Sequence, residues 1–120
     1  MKKIAFLALT ILFLLPFNMS YANEQFSVHG INISEVGENS TIARQKALEK
    51  AQIEAFKTLI SRLIGNEFDI SFDEGDIEQL IESIEISDEV ITNQNYAANY
   101  TIFFNENYTT YYLDNKILDA

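Results

Sequence analysis

Four alanines set at positions 43, 47, 51 and 55, in a run from 41 to 64 that contains neither glycine nor proline, constrain this chain more than any other feature. A four-residue repeat of one small side chain lies along a single stripe of an α-helix. Such a stripe leaves the backbone free to approach whatever lies beneath it. Leu48, Phe56, Leu59, Ile60, Leu63 and Ile64 flank the alanines and thicken the apolar face toward its C-terminal half. The spacing predicts a helix over residues 41–64, begun by Asn39 or Ser40 as N-cap and stopped by Gly65 and Asn66. The stripe needs an apolar surface to lie on, and the rest of the chain must supply it.

Residues 26–33 mix aromatic and β-branched side chains with polar ones and read as a strand, with Phe26, Val28 and Gly30 on one side and His29, Ile31 and Ile33 on the other. A turn-rich stretch containing Gly37 leads into the long helix. After it comes an acidic connector over residues 67–76, then Ile77, Leu80, Ile81 and Ile84 at helical spacing, which predicts a short helix over 76–83. Residues 86–92 are β-branched, 93–95 form a turn, and 96–104 alternate, with Tyr96, Ala98, Tyr100, Ile102 and Phe104 on one side. Asn105 caps a last helical segment over 108–113. The order strand, helix, helix, strand, strand, helix predicts an α+β protein: a three-stranded, mainly antiparallel sheet with one long and one or two short helices packed on one face.

The first residues carry a different signal. Lys2 and Lys3 precede an apolar run over 4–17, and Ser20 and Ala22 stand three residues and one residue before a cut between Ala22 and Asn23, the pattern of a cleavable secretory signal. The run is shorter than the roughly 20 apolar residues that cross a bilayer, so the expectation is a signal peptide over 1–22 with no membrane span after its removal. Residues 23–120 are then one α+β domain, exported and, on this reading, periplasmic. The chain has no cysteine, so neither a disulfide nor a lipid-modified cysteine contributes, and packing must stabilise the domain.

The formal charge is −10. Removing residues 1–22 takes two of the eight basic residues and none of the eighteen acidic ones, which leaves −12. A surface this acidic disfavours nucleic acid, whose non-specific binding depends on neutralising phosphates. Five of the basic residues, Arg44, Lys46, Lys50, Lys57 and Arg62, fall in the long helix, and none lies between Arg62 and Lys116. The expectation is that this helix pairs with the acidic stretch over 67–89.

Ala43, Arg44, Ala47, Ala51, Ala55, Phe56, Leu59, Arg62 and Leu63, followed by Tyr96, Ala98, Tyr100, Ile102, Phe104, Asn105 and Leu113, resemble an exported bacterial family known as domain of unknown function 2066. The resemblance spans about residues 28–113 and rests on a helix pattern and a strand pattern. It implies a signal peptide, an α+β domain and an envelope setting, and it brings no activity or cofactor with it.

No residue set in the sequence spells out a reaction, so the expectation is a protein that is not an enzyme and uses no cofactor. Asp69, Ser71, Asp73, Glu74, Gly75 and Asp76 put oxygen ligands at alternate positions as a calcium loop does, but counting from Asp69 the sixth and twelfth places hold Glu74 and Leu80, where that loop needs glycine and a bidentate glutamate. His29 is the single histidine and has no partner that spacing identifies. Carboxylates such as Glu78, Glu82 and Glu85 share a helix face rather than oppose one another across a cleft. That leaves recognition. Tyr108, Tyr111 and Tyr112 combine apolar rings with polar tips, and Arg44 and Arg62 carry planar guanidinium forks; these five are the candidate interaction residues. The reading is an exported accessory or protein-interaction module whose partner is an envelope protein. The alternative is a periplasmic protein that binds a small ligand or, weakly, a metal through the acidic loop.

Overall fold

The alanine stripe finds its surface in an antiparallel sheet. The computed structural model describes residues 24–66 and 70–119. A 3₁₀ turn at Glu24–Phe26 leads into β1 (Ser27–Val36), followed by α1 (Ser40–Ile64), α2 (Glu74–Leu80), β2 (Ile81–Ile91), β3 (Asn95–Phe104) and α3 (Glu106–Asp119). The strands lie in the order β1-β3-β2 with both pairings antiparallel, so the last strand in sequence is the central one. The protein is therefore α+β, with one long helix and two shorter ones among the described residues. The signal peptide expected over 1–22, its cut at Ala22 and Asn23, and residues 67–69 of the acidic connector lie outside the described residues.

All four ladder alanines are fully buried, and α1 packs across β1 and β3. On β3 the even-numbered residues from Tyr96 to Phe104 are buried, and the odd-numbered ones between them are half-buried on the opposite face. Tyr96 and Tyr100 are the two largest side chains with no exposed surface, and they share one core cluster with the alanines. Small side chains on the helix let it lie close to the large ones of the central strand. Phe56 and Leu59, also fully buried, each stabilise the core by about 2 to 3 kcal/mol through apolar transfer. Phe56 sits among Phe72, Phe104 and Tyr112 at ring separations of 5.0, 6.0 and 6.0 Å, which ties the connector, β3 and α3 to α1.

The helix ends follow from local chemistry. Asn39 Oδ1 accepts from Ile42 N at 3.0 Å and begins α1 at Ser40; Gly65, with φ of 83°, donates its N–H to Ser61 O and stops it. Asn105 Oδ1 accepts from Tyr108 N at 2.9 Å and begins α3 at Glu106, earlier than the sequence pattern suggested. The same helix continues to Asp119, past the expected end at Leu113.

Two corrections concern the strands. β1 carries a bulge between Val28 and Ile31, with Gly30 at φ of 71°. The extra residue resets the alternation, so Val28, Ile31 and Ile33 are all buried instead of pointing to opposite sides. The helix expected over 76–83 ends at Leu80, and β2 begins at Ile81, not at 86. A bulge between Ile81 and Ser83 lets Ile81, Ile84 and Ile86 all pack against the core despite their uneven spacing, which is why the segment had a helical rhythm.

Candidate functional site

The polar residues singled out from the sequence do not gather in one place. Arg62 belongs to the fold: its Nη1 donates to the carbonyls of Ser27 at 2.7 Å, Gln25 at 2.8 Å and Glu24 at 3.4 Å. One guanidinium thereby fastens the 3₁₀ turn and the start of β1 to the end of α1. Arg44 lies beside the buried tyrosines, where its charge favours the phenolate of Tyr96 and of Tyr100. That influence is outweighed. Burial raises the Tyr96 hydroxyl above its ordinary pKa, and the hydrogen bond it donates to Glu89 Oε2 at 2.7 Å raises it further. Burial first, and the Tyr96 hydroxyl second, push Tyr100 up to about 12. Among the described residues, the Tyr100 hydroxyl has no hydrogen-bond partner.

The tyrosine trio divides. Tyr112 packs edge-on against Phe56, donates from its hydroxyl to Asp76 Oδ2 at 3.1 Å, and has Lys116 Nζ 5.5 Å from its ring centre. Burial, reinforced by the Asp76 carboxylate, pushes its pKa up to about 12. Tyr112 is thus a link between α3, α2 and α1. Tyr108 and Tyr111 point away from the core and are 64% and 72% exposed, and Leu118, 82% exposed, continues the same outward stripe. Offsets of three and seven residues keep the three on one side of α3, while Thr109 and Leu113 occupy the buried side. Leu118 was not among the residues chosen from the sequence. The repeat of Tyr111 seven residues on would have revealed it, had the helix been extended past Leu113.

The other chemical groups resolve locally. His29 Nε2 lies 3.1 Å from Ser27 Oγ, a contact the sequence did not single out. The Ser27 hydroxyl donates to Glu24 O at 2.9 Å, and with its one proton so placed the contact fits the His29 tautomer that carries its proton on Nε2 and donates to Ser27 Oγ. That polarity is the reverse of a base activating a nucleophile. In the acidic loop, Asp73 sits at the N-cap position of α2, Glu74 and Asp76 lie in its first turn, and Asp76 is engaged by Tyr112. Among the described residues, no three His, Cys, Asp or Glu side chains are placed to share a metal ion. No described helix is long and apolar enough to cross a membrane.

Among the described residues, which leave out Glu67 and Asp69, the expected pairing of the basic helix with the acidic stretch is not seen. Among the described residues, the one ion pair within 4.0 Å joins Lys50 Nζ to Glu35 Oε1 of β1 at 3.5 Å. The reason is topological. Lys46, Lys50 and Arg62 reach β1, at one edge of the sheet, whereas the acidic residues of β2 line the other edge, beyond β3.

The chain matches no protein-family model, no curated protein and no solved structure.

Proposed function

We propose that this chain is an exported, periplasmic protein-interaction module that docks a partner protein of the cell envelope through the outward side of α3. The observation that carries the reading is the stripe of Tyr108, Tyr111 and Leu118, three large side chains left in solvent on one side of a helix whose other side is built into the core. Tyrosine offers broad apolar contact and a hydrogen-bonding tip while losing little rotamer freedom, which suits it to the centre of an interface. The export half of the proposal is supported by Lys2 and Lys3, the apolar run over 4–17 and the small residues Ser20 and Ala22, and it accords with the resemblance to the exported domain of unknown function 2066.

The test replaces Tyr108 and Tyr111 together by alanine. Neither ring supports the core, so the circular dichroism spectrum should be unchanged while a cross-linked or co-purified complex is lost. A complex that survives the double replacement places docking elsewhere. Intact mass checks the export half, since the recovered protein should begin at Asn23, and a species that retains residues 1–22 contradicts it.

A further inference from the structure

The two edges of the sheet are not equivalent. Along β1, cations from α1 hold backbone carbonyls at both ends: Arg62 takes Ser27 O, and Lys46 Nζ approaches Val36 O at 3.5 Å, while Lys50 pairs with Glu35 between them. Along β2, among the described residues, nothing of the kind occurs. Its inner side is paired with β3, and among the described residues no strand pairs with its outer side. Residues 83–87 keep an unbroken register with β3 between the two bulges of the strand, the second of which contains Asp88 at φ of 54°. A stretch of strand in unbroken register, with outer N–H and C=O groups that no strand pairs among the described residues, is a template for another chain.

The side chains of β2 specify what that chain must be. Glu82, Glu85, Asp88 and Glu89 are all exposed, and none has a cationic side chain within 4.0 Å among the described residues. Val90 and Ile91, 59% and 60% exposed, add apolar surface at the end of the strand. A second copy of the protein docking edge to edge would bring four carboxylates against four more, which repels. An extended segment that alternates basic with apolar residues meets the carboxylates with opposite charge and the backbone with hydrogen bonds.

We propose that β2 accepts such a basic, extended segment of a partner protein as a fourth strand, by β-augmentation beside residues 83–87. This rests on the reading of the protein as an interaction module and names a partner chemistry for a surface separate from α3. Electrostatic attraction gathers the segment and selects it over acidic chains, and the backbone ladder fixes it in place.

The experiment titrates the mature protein with three synthetic peptides: one of alternating lysine and valine, one with glutamate for every lysine, and one with the lysine–valine sequence N-methylated along one edge so that it cannot donate to a ladder. The expected result is binding of the first alone, weakened by salt, with slowed amide exchange in β2 and not in β1. Replacing Glu82→Gln and Glu85→Gln together should weaken binding about tenfold, since two exposed charge pairs within their usual range of strength supply that much. No binding of the lysine–valine peptide, equal binding of its N-methylated form, or protection confined to α1 or α3 overturns the proposal. The two readings fail separately. A peptide that does not bind, beside a complex lost on replacing Tyr108 and Tyr111, removes the strand-addition site and keeps the α3 site. The opposite pair of results removes the α3 site and keeps strand addition.

Discussion

Several buried polar atoms set the stability of individual positions. Thr109 is fully buried on the inner side of α3, and among the described residues its Oγ1 has no hydrogen-bond partner. A buried hydroxyl without a partner costs the free energy of its lost hydration, so Thr109→Val, which keeps the branched shape, should raise stability by about 1 kcal/mol. Urea denaturation measures this, and a destabilised variant would mean that the hydroxyl is satisfied. Tyr100 and Tyr112 carry a pH dependence whose sign follows from their environment. In the unfolded chain a phenol gives up its proton near 10.0, whereas the folded protein holds both protons until about 12. Across that interval the unfolded state binds fewer protons than the folded one, so stability is unaffected below pH 10 and falls as pH rises toward 12. Tyr100→Phe and Tyr112→Phe should each make the fall shallower in denaturation curves recorded across that range. An equally steep fall in both variants would show that these hydroxyls do not cause it.

At the scale of elements, what was legible depended on whether one period held through a whole segment. The ladder from Ala43 to Ala55 and the alternation from Tyr96 to Phe104 each keep a single rhythm, and the structure buries both faces as the sequence indicated. Replacing Ala51 by Arg should therefore force a charge between α1 and the sheet and cost more than about 3 kcal/mol, or prevent folding. An unchanged thermal melt would mean that the stripe faces solvent. Bulges erased the rhythm elsewhere. Ile77, Leu80, Ile81 and Ile84 fit a helix as written, yet the break after Leu80 and the extra residue before Ser83 divide them between α2 and β2. In β1 the same device at Gly30 reversed the side assigned to Ile31 and Ile33. A glycine within a strand pattern signals a bulge but does not say how many residues it offsets. The candidate site was legible in part for a related reason: the outward set could be separated from Tyr112 only once α3 was known to turn Tyr112 toward Phe56 and Asp76.

Over the whole molecule, charge is segregated by topology. Five of its eight basic residues lie on α1, and the formal charge of −10 is concentrated elsewhere, with β2 as the acidic margin of the sheet. The fold thereby presents two unlike surfaces, an aromatic and apolar stripe on α3 and an acidic open edge on β2, on one small core. Each is offered as a contact for a partner, and the α3 stripe is the central proposal. Its most direct test is photo-cross-linking in the cells that make the protein, with a benzophenone amino acid placed at Tyr111 and, as a control, at the exposed Glu54 of α1. The expected result is a discrete cross-linked product from position 111 and none from position 54. No product from position 111, or the same product from both positions, would contradict docking through α3.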